Sequence, residues 1–148
     1  MTRKFNSFPG LLRGALGESL EPGEEIGDLF ADDIVFEFPY APEGVPRRLS
    51  GKAGLFNHLT RISPLLEFGE MTLHRVHPSG ETFVIEFSCN GRGRRTGVPY
   101  DQRYISVIAL SDRRIVRYVD YWNPLVLLSA LGGAEATRAA FAEDAADA

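Results

Sequence analysis

Residues 97–110 and 114–123 are two long β-type runs separated only by Ser111-Asp112-Arg113. A connection that short forces them into one antiparallel hairpin. With Asp112 and Arg113 as the turn, Ser111 faces Arg114, Ile105 faces Asp120 and Arg103 faces Trp122. Strict alternation then gathers Asp101, Arg103, Ile105, Val107, Tyr118, Asp120 and Trp122 on one face. Tyr104, Ser106, Ile108, Leu110, Ile115, Val119 and Tyr121 take the other. Both faces are largely apolar, so both must be covered, and the few helices of a small chain cover only one of them. The uncovered face is expected to be a homodimer surface.

The rest of the chain supplies those helices. Phe8, Leu11, Leu12, Ala15, Leu16 and Leu20 recur at helical spacing, and the pattern predicts a first helix over 8–20. A short second helix is expected over 24–31, followed by a strand at 34–38 that Pro39 stops. Ser50 begins a third helix with Leu55, Phe56, Leu59 and Ile62 inward, and Pro64 ends it. Further strands are predicted at about 67–77 and 82–92, and a short helix over 125–131 runs into Gly132-Gly133. Helices followed by an antiparallel meander define an α+β domain over 1–133. The alanine-rich acidic stretch 134–148 is expected to fray.

Composition narrows the function. A chain of 148 residues buries roughly 68% of its open-chain surface, enough for one self-sufficient core. A net charge of −4 argues against nucleic acid as a partner. Cys89 is the only cysteine, so an internal disulfide or a cysteine-based metal cluster is ruled out and a reducing compartment is expected. The first ten residues lack the apolar run of a secretory signal, and no stretch approaches ~20 apolar residues. The expectation is a soluble cytoplasmic protein with no membrane partner. Ser50-Gly51-Lys52-Ala53 fails as a phosphate-binding loop because Pro46 stands where the earlier glycine is needed. His74 and His77, three apart on a strand, point to opposite faces and cannot share a metal; no metal site is expected.

Chemistry is concentrated in a few side chains. Asp101 and Asp120, placed on one apolar face and ~13 Å apart at ~3.4 Å per residue, are spaced to flank a small ligand. A carboxyl in such surroundings must be paired or protonated. The inert alternative pairs Asp101 with Arg103, and Asp120 with Arg117 or a backbone donor. His58, on the third helix, is placed to carry a proton at the cavity mouth. Phe36, Phe38, Tyr40, Tyr118 and Trp122 are candidates for an apolar pocket wall with polar tips. Glu86, acidic within the apolar run Phe83-Val84-Ile85-Glu86-Phe87, either reaches that cavity or faces solvent.

The segments Leu29-Phe30-Ala31-Asp32-Asp33-Ile34-Val35-Phe36-Glu37-Phe38-Pro39, Ser50-Gly51-Lys52, Pro99-Tyr100-Asp101 and Arg114 to Pro124 together resemble the nuclear transport factor 2-like superfamily, within it the SnoaL-like polyketide cyclase branch related to ketosteroid isomerase. The resemblance implies a cone in which a curved, mostly antiparallel sheet wraps three N-terminal helices, a central small-molecule pocket, and frequent dimerisation through the sheet's outer face. Against the isomerases, Asp101 matches the acid that donates to an enolate oxygen, a role that needs a carboxyl kept neutral by apolar surroundings. Phe38 stands where the proton-shuttling aspartate belongs, and Gly14 near the oxyanion tyrosine. Against the limonene-type epoxide hydrolases, Asp120 matches an acid, with Glu86 near the second acid and Val84 near the arginine. Against the phenazine-biosynthesis members, Asp120 and His58 match an acid and a helix histidine. The resemblance thus implies a cofactor-independent acid/base isomerase, cyclase or dehydratase of a small apolar carbonyl-containing or cyclic metabolite, with Arg103 and Glu86 among the substrate contacts. A non-catalytic small-molecule-binding or accessory protein of the same fold is the alternative.

Overall fold

The computed structural model describes residues 2–146. Strand β1 (Arg3–Phe5) leads into helix α1 (Phe8–Leu16). The Ser7 hydroxyl caps α1 by accepting from the Gly10 amide at 3.1 Å, and Leu11, Leu12 and Leu16 form its buried stripe. The remainder of the expected first helix is a 3-10 turn over Gly17–Ser19, and the expected second helix is a single 3-10 turn, Ile26–Leu29. Glu21-Pro22-Gly23 between them prevents any longer helix. Strand β2 (Phe30–Glu37), short strand β3 (Arg48–Ser50) and helix α2 (Gly51–Ile62) follow. Ser50 is at the N-cap of α2 as expected, although its side chain makes no capping bond there.

Strands β4 (Leu66–Ser79), β5 (Thr82–Gly93), β6 (Gln102–Ser111) and β7 (Arg114–Trp122) form the meander. The seven strands make one mixed sheet in the order β1-β4-β5-β6-β7-β2-β3, antiparallel except where β2 runs parallel to β7. Helices α1 and α2 and the C-terminal helices α3 (Pro124–Leu131) and α4 (Ala134–Ala146) complete the fold. A Cβ on Gly93 would collide with the Ala130 carbonyl, so the missing side chain lets α3 lie directly on β5.

Two expectations change here. The stretch from 134, expected to fray, is helical as far as Ala146; Thr137 is buried, and Phe141 joins the hydrophobic core. Residues 147–148 of that predicted tail lie outside the described residues. The second change concerns the hairpin register. Asp112 and Arg113 form the two-residue turn, with φ of 50° and 63°, and Ser111 faces Arg114 and Leu110 faces Ile115 as predicted. The register then shifts: Ala109 faces Arg117, Ser106 faces Asp120 and Tyr104 faces Trp122. One extra residue in β7, a bulge at Val116, moves every later side chain of that strand to the other face relative to β6.

Candidate functional site

The bulge decides what the pocket contains. It turns Tyr118, Asp120 and Trp122 inward beside Tyr104, Ser106 and Ile108, and leaves Arg103, Ile105 and Val107 facing outward with Val119 and Tyr121. Asp101 is exposed and outside the cavity. The expected pair of facing carboxyls is therefore one carboxyl.

The cavity is about 270 Å³ and almost wholly apolar at its walls. Strand β2 and the residue after it supply Phe36 and Phe38, β7 supplies Asp120 and Trp122, and α2 supplies His58 together with Leu55, Leu59 and Ile62. Tyr118 is fully buried behind this wall, its ring stacked on Phe36 with centroids 4.2 Å apart. The Phe38 ring lies 5.3 Å from the His58 ring and 5.9 Å from Trp122. Three predicted contacts are corrected. Tyr40 is 60% exposed, against the ring of Tyr121. Arg103 is exposed on the outer face. Glu86 is also on the outer face, held by His77 Nε2 at 2.7 Å and Arg75 Nη1 at 3.5 Å. In each case alternation in the strand, or the lack of cover over the loop after β2, directs the side chain away from the core.

Asp120 is the chemical centre of the cavity. Ser106 donates to its Oδ1 at 2.8 Å, and the Tyr118 hydroxyl donates to Ser106 Oγ at 2.9 Å. Burial penalises the charged carboxylate and pushes the pKa up to about 7, against the opposing pull of the Ser106 hydrogen bond. Among the described residues, no cation contributes to that balance. Arg117, the partner proposed by the inert alternative, instead binds Glu37 at 3.1 Å.

In the lining of the same cavity, the hydroxyls of Tyr100 and Tyr104 lie 3.0 Å apart. Burial is the main cause that lifts both phenols, Tyr100 to about 12, and the Asp120 charge adds to it. Both are neutral donors at pH 7. One phenolic proton closes the pair, the Gln102 side chain also hydrogen-bonds the Tyr100 hydroxyl, and one phenolic proton remains. Reading the sequence by unbroken alternation missed Tyr104 and Ser106, which it placed opposite Asp120, and it passed over Tyr100 in favour of the neighbouring Asp101. Among the described residues no three His, Cys, Asp or Glu side chains come together to hold a metal. No single described helix is long and apolar enough to cross a membrane.

An apolar cavity holding one buried carboxyl and a phenol pair lies inside a nuclear transport factor 2-like fold. Residues 21–118 match the SnoaL-like domain family, to which this chain belongs. The uncharacterised YesE protein of Bacillus subtilis is 46% identical over 108 residues, 72% of this chain and 74% of its own. An uncharacterised PhzA/B-like protein of Pseudomonas aeruginosa is 37% identical over 122 residues, 79% of this chain and 85% of its own. A crystal structure of a Bacillus subtilis protein provisionally named an isomerase superposes with a TM-score of 0.70 at 40% identity, covering 83% of this chain and 87% of that one.

Proposed function

We propose that the protein is a cofactor-independent acid/base catalyst that isomerises, cyclises or dehydrates a small, neutral, carbonyl-containing or cyclic metabolite. The observation that carries this reading is Asp120: a buried carboxyl, facing a cavity, with no cationic partner and a pKa near 7. A group with that pKa is populated in both protonation states at neutral pH, the condition under which proton transfer is most efficient. The relationship to PhzA/B-like and isomerase-named proteins supports the class without fixing the substrate.

Each group has a part in this reading. A carbonyl oxygen at the Tyr100–Tyr104 pair accepts the remaining phenolic proton, which stabilises negative charge as it develops there. Asp120 in its ionised form takes a proton from the carbon beside that carbonyl and returns it at another position. Ser106, held by Tyr118, keeps the carboxyl oriented. His58 lines the same cavity and serves as a second proton carrier at its α2 side. Aromatic walls exclude water, which strengthens each of these interactions.

The test is proton exchange. Cyclic ketones and unsaturated ketones are incubated with the protein in D₂O, and deuterium incorporation beside the carbonyl is followed by mass spectrometry. Exchange in the native protein and a ~10²- to 10⁴-fold loss in a folded Asp120→Asn variant are expected. Exchange equal in the two proteins removes Asp120 from the mechanism. Ligands retained in native mass spectra without any exchange identify a binding protein instead.

A further inference from the structure

We infer that Phe141, on the C-terminal helix α4, sets the size of ligand the cavity accepts. The inference rests on the preceding reading only in taking this cavity as the ligand site.

Three observations support it. First, Leu127 and Leu131 of α3 and Phe141 of α4 line the cavity. Phe141 is 5% exposed, and its ring lies 6.4 Å from that of His58 at 14° between planes. An aromatic side chain thus lies against the α2 residue that borders the reacting space. Second, α3 is fixed and α4 is joined to it by two glycines. Arg95 Nη2 donates to the Leu131 carbonyl at 2.9 Å and Thr96 Oγ1 to the Ala130 carbonyl at 2.6 Å. Gly132 and Gly133 come immediately after, with φ of 95° and 112°, a conformation that other residues seldom adopt. The chain turns through 81° between the two helices there. Third, the anchorage of α4 is concentrated. Its alanine-rich sequence offers little bulk, and the Thr137 hydroxyl bonds only back to the Gly133 carbonyl. Arg138 passes over Gly44, where an added Cβ would sit 3.4 Å from the Arg138 Cβ. Phe141 is therefore the one large apolar side chain among the described ones that α4 commits to the cavity.

A side chain that fills one end of a small apolar cavity limits the length of ligand that fits, and removing it leaves a space a longer ligand can use. The experiment uses two neutral, planar, carbonyl-bearing dyes, 6-propionyl-2-dimethylaminonaphthalene and its 6-hexanoyl homologue, and measures affinity by fluorescence. The native protein is expected to prefer the propionyl dye. In Phe141→Ala that preference should fall by about tenfold or more, through tighter binding of the hexanoyl dye. Phe141→Trp, which keeps the position filled, should retain or sharpen the preference. An unchanged preference in folded Phe141→Ala, with the propionyl dye still bound, overturns the role of Phe141 and leaves the cavity as the ligand site. Failure of the native protein to bind either dye overturns both. Because the readout needs no turnover, loss of the proton-transfer reading alone leaves this result standing.

Discussion

Asp120 and Glu86 lie in neighbouring regions of one sheet and have opposite fates. Asp120 projects inward from β7 among aromatic rings, and burial holds its proton on up to about pH 7. Glu86 projects outward from β5 into a cluster with His77 and Arg75, whose hydrogen bonds and charges hold its pKa below the usual carboxylate range. Residue type contributes almost nothing to this difference. The pleat decides which carboxyl loses its water, and the availability of a cation decides which can bear its charge. A dry face whose lining lacks lysine and arginine keeps a carboxyl protonated to higher pH; a wet face with both signs of charge makes a solvated ion-pair surface of small energetic weight.

The largest test of that contrast is the pH dependence of stability. Asp120 has a raised pKa in the folded state, so the native protein binds more protons than the unfolded chain between about pH 4 and 7. Its contribution to stability is complete below the unfolded pKa and is lost as pH rises through the folded value. Denaturant unfolding should show a decline of a few kcal/mol across that window in the native protein. In Asp120→Asn the decline should be largely absent, and an identical slope would mean that the carboxyl is hydrated. Next in size is Ser106→Ala. Removing the donor takes away the one influence that lowers the Asp120 pKa, so the midpoint of carboxyl titration, followed by infrared difference spectroscopy, should move to higher pH. A downward shift would contradict the assigned direction of the Ser106–Asp120 bond. The smallest effects belong to the outer face: Asp101→Asn and Glu86→Gln should leave proton exchange unchanged. A large loss in either would show that the outer face takes part in the chemistry.

Most of the architecture was legible because it is written in periodicity and punctuation. Leu11, Leu12 and Leu16 mark α1, Pro64 stops α2, and Asp112-Arg113 forms the turn where expected. The site was legible in part. His58, Phe36, Phe38, Asp120 and Trp122 do line one cavity. Pairing Asp101 with Asp120 failed because a bulge has no signature in an alternating apolar run: Val116 and Arg117 suit either register. Tyr100 and Tyr104 were missed for the same reason, since their value lies in meeting each other, a contact set by the course of the chain between β5 and β6. The C-terminal helix was underestimated because alanine and acidic residues dominate its composition, whereas its role depends on the single ring of Phe141.

A cavity lined without lysine or arginine has a consequence for how occupancy itself would be measured. A neutral guest that lacks a hydrogen-bond donor strips the last water from around Asp120, making the ionised form costlier still. Near neutrality, each such guest that enters should draw hydrogen ions from the surrounding buffer, and affinity should weaken as the medium becomes alkaline. Titration calorimetry in two buffers of different ionisation heat reads this uptake directly; equal heats in both would mean that Asp120 stays indifferent to what sits beside it.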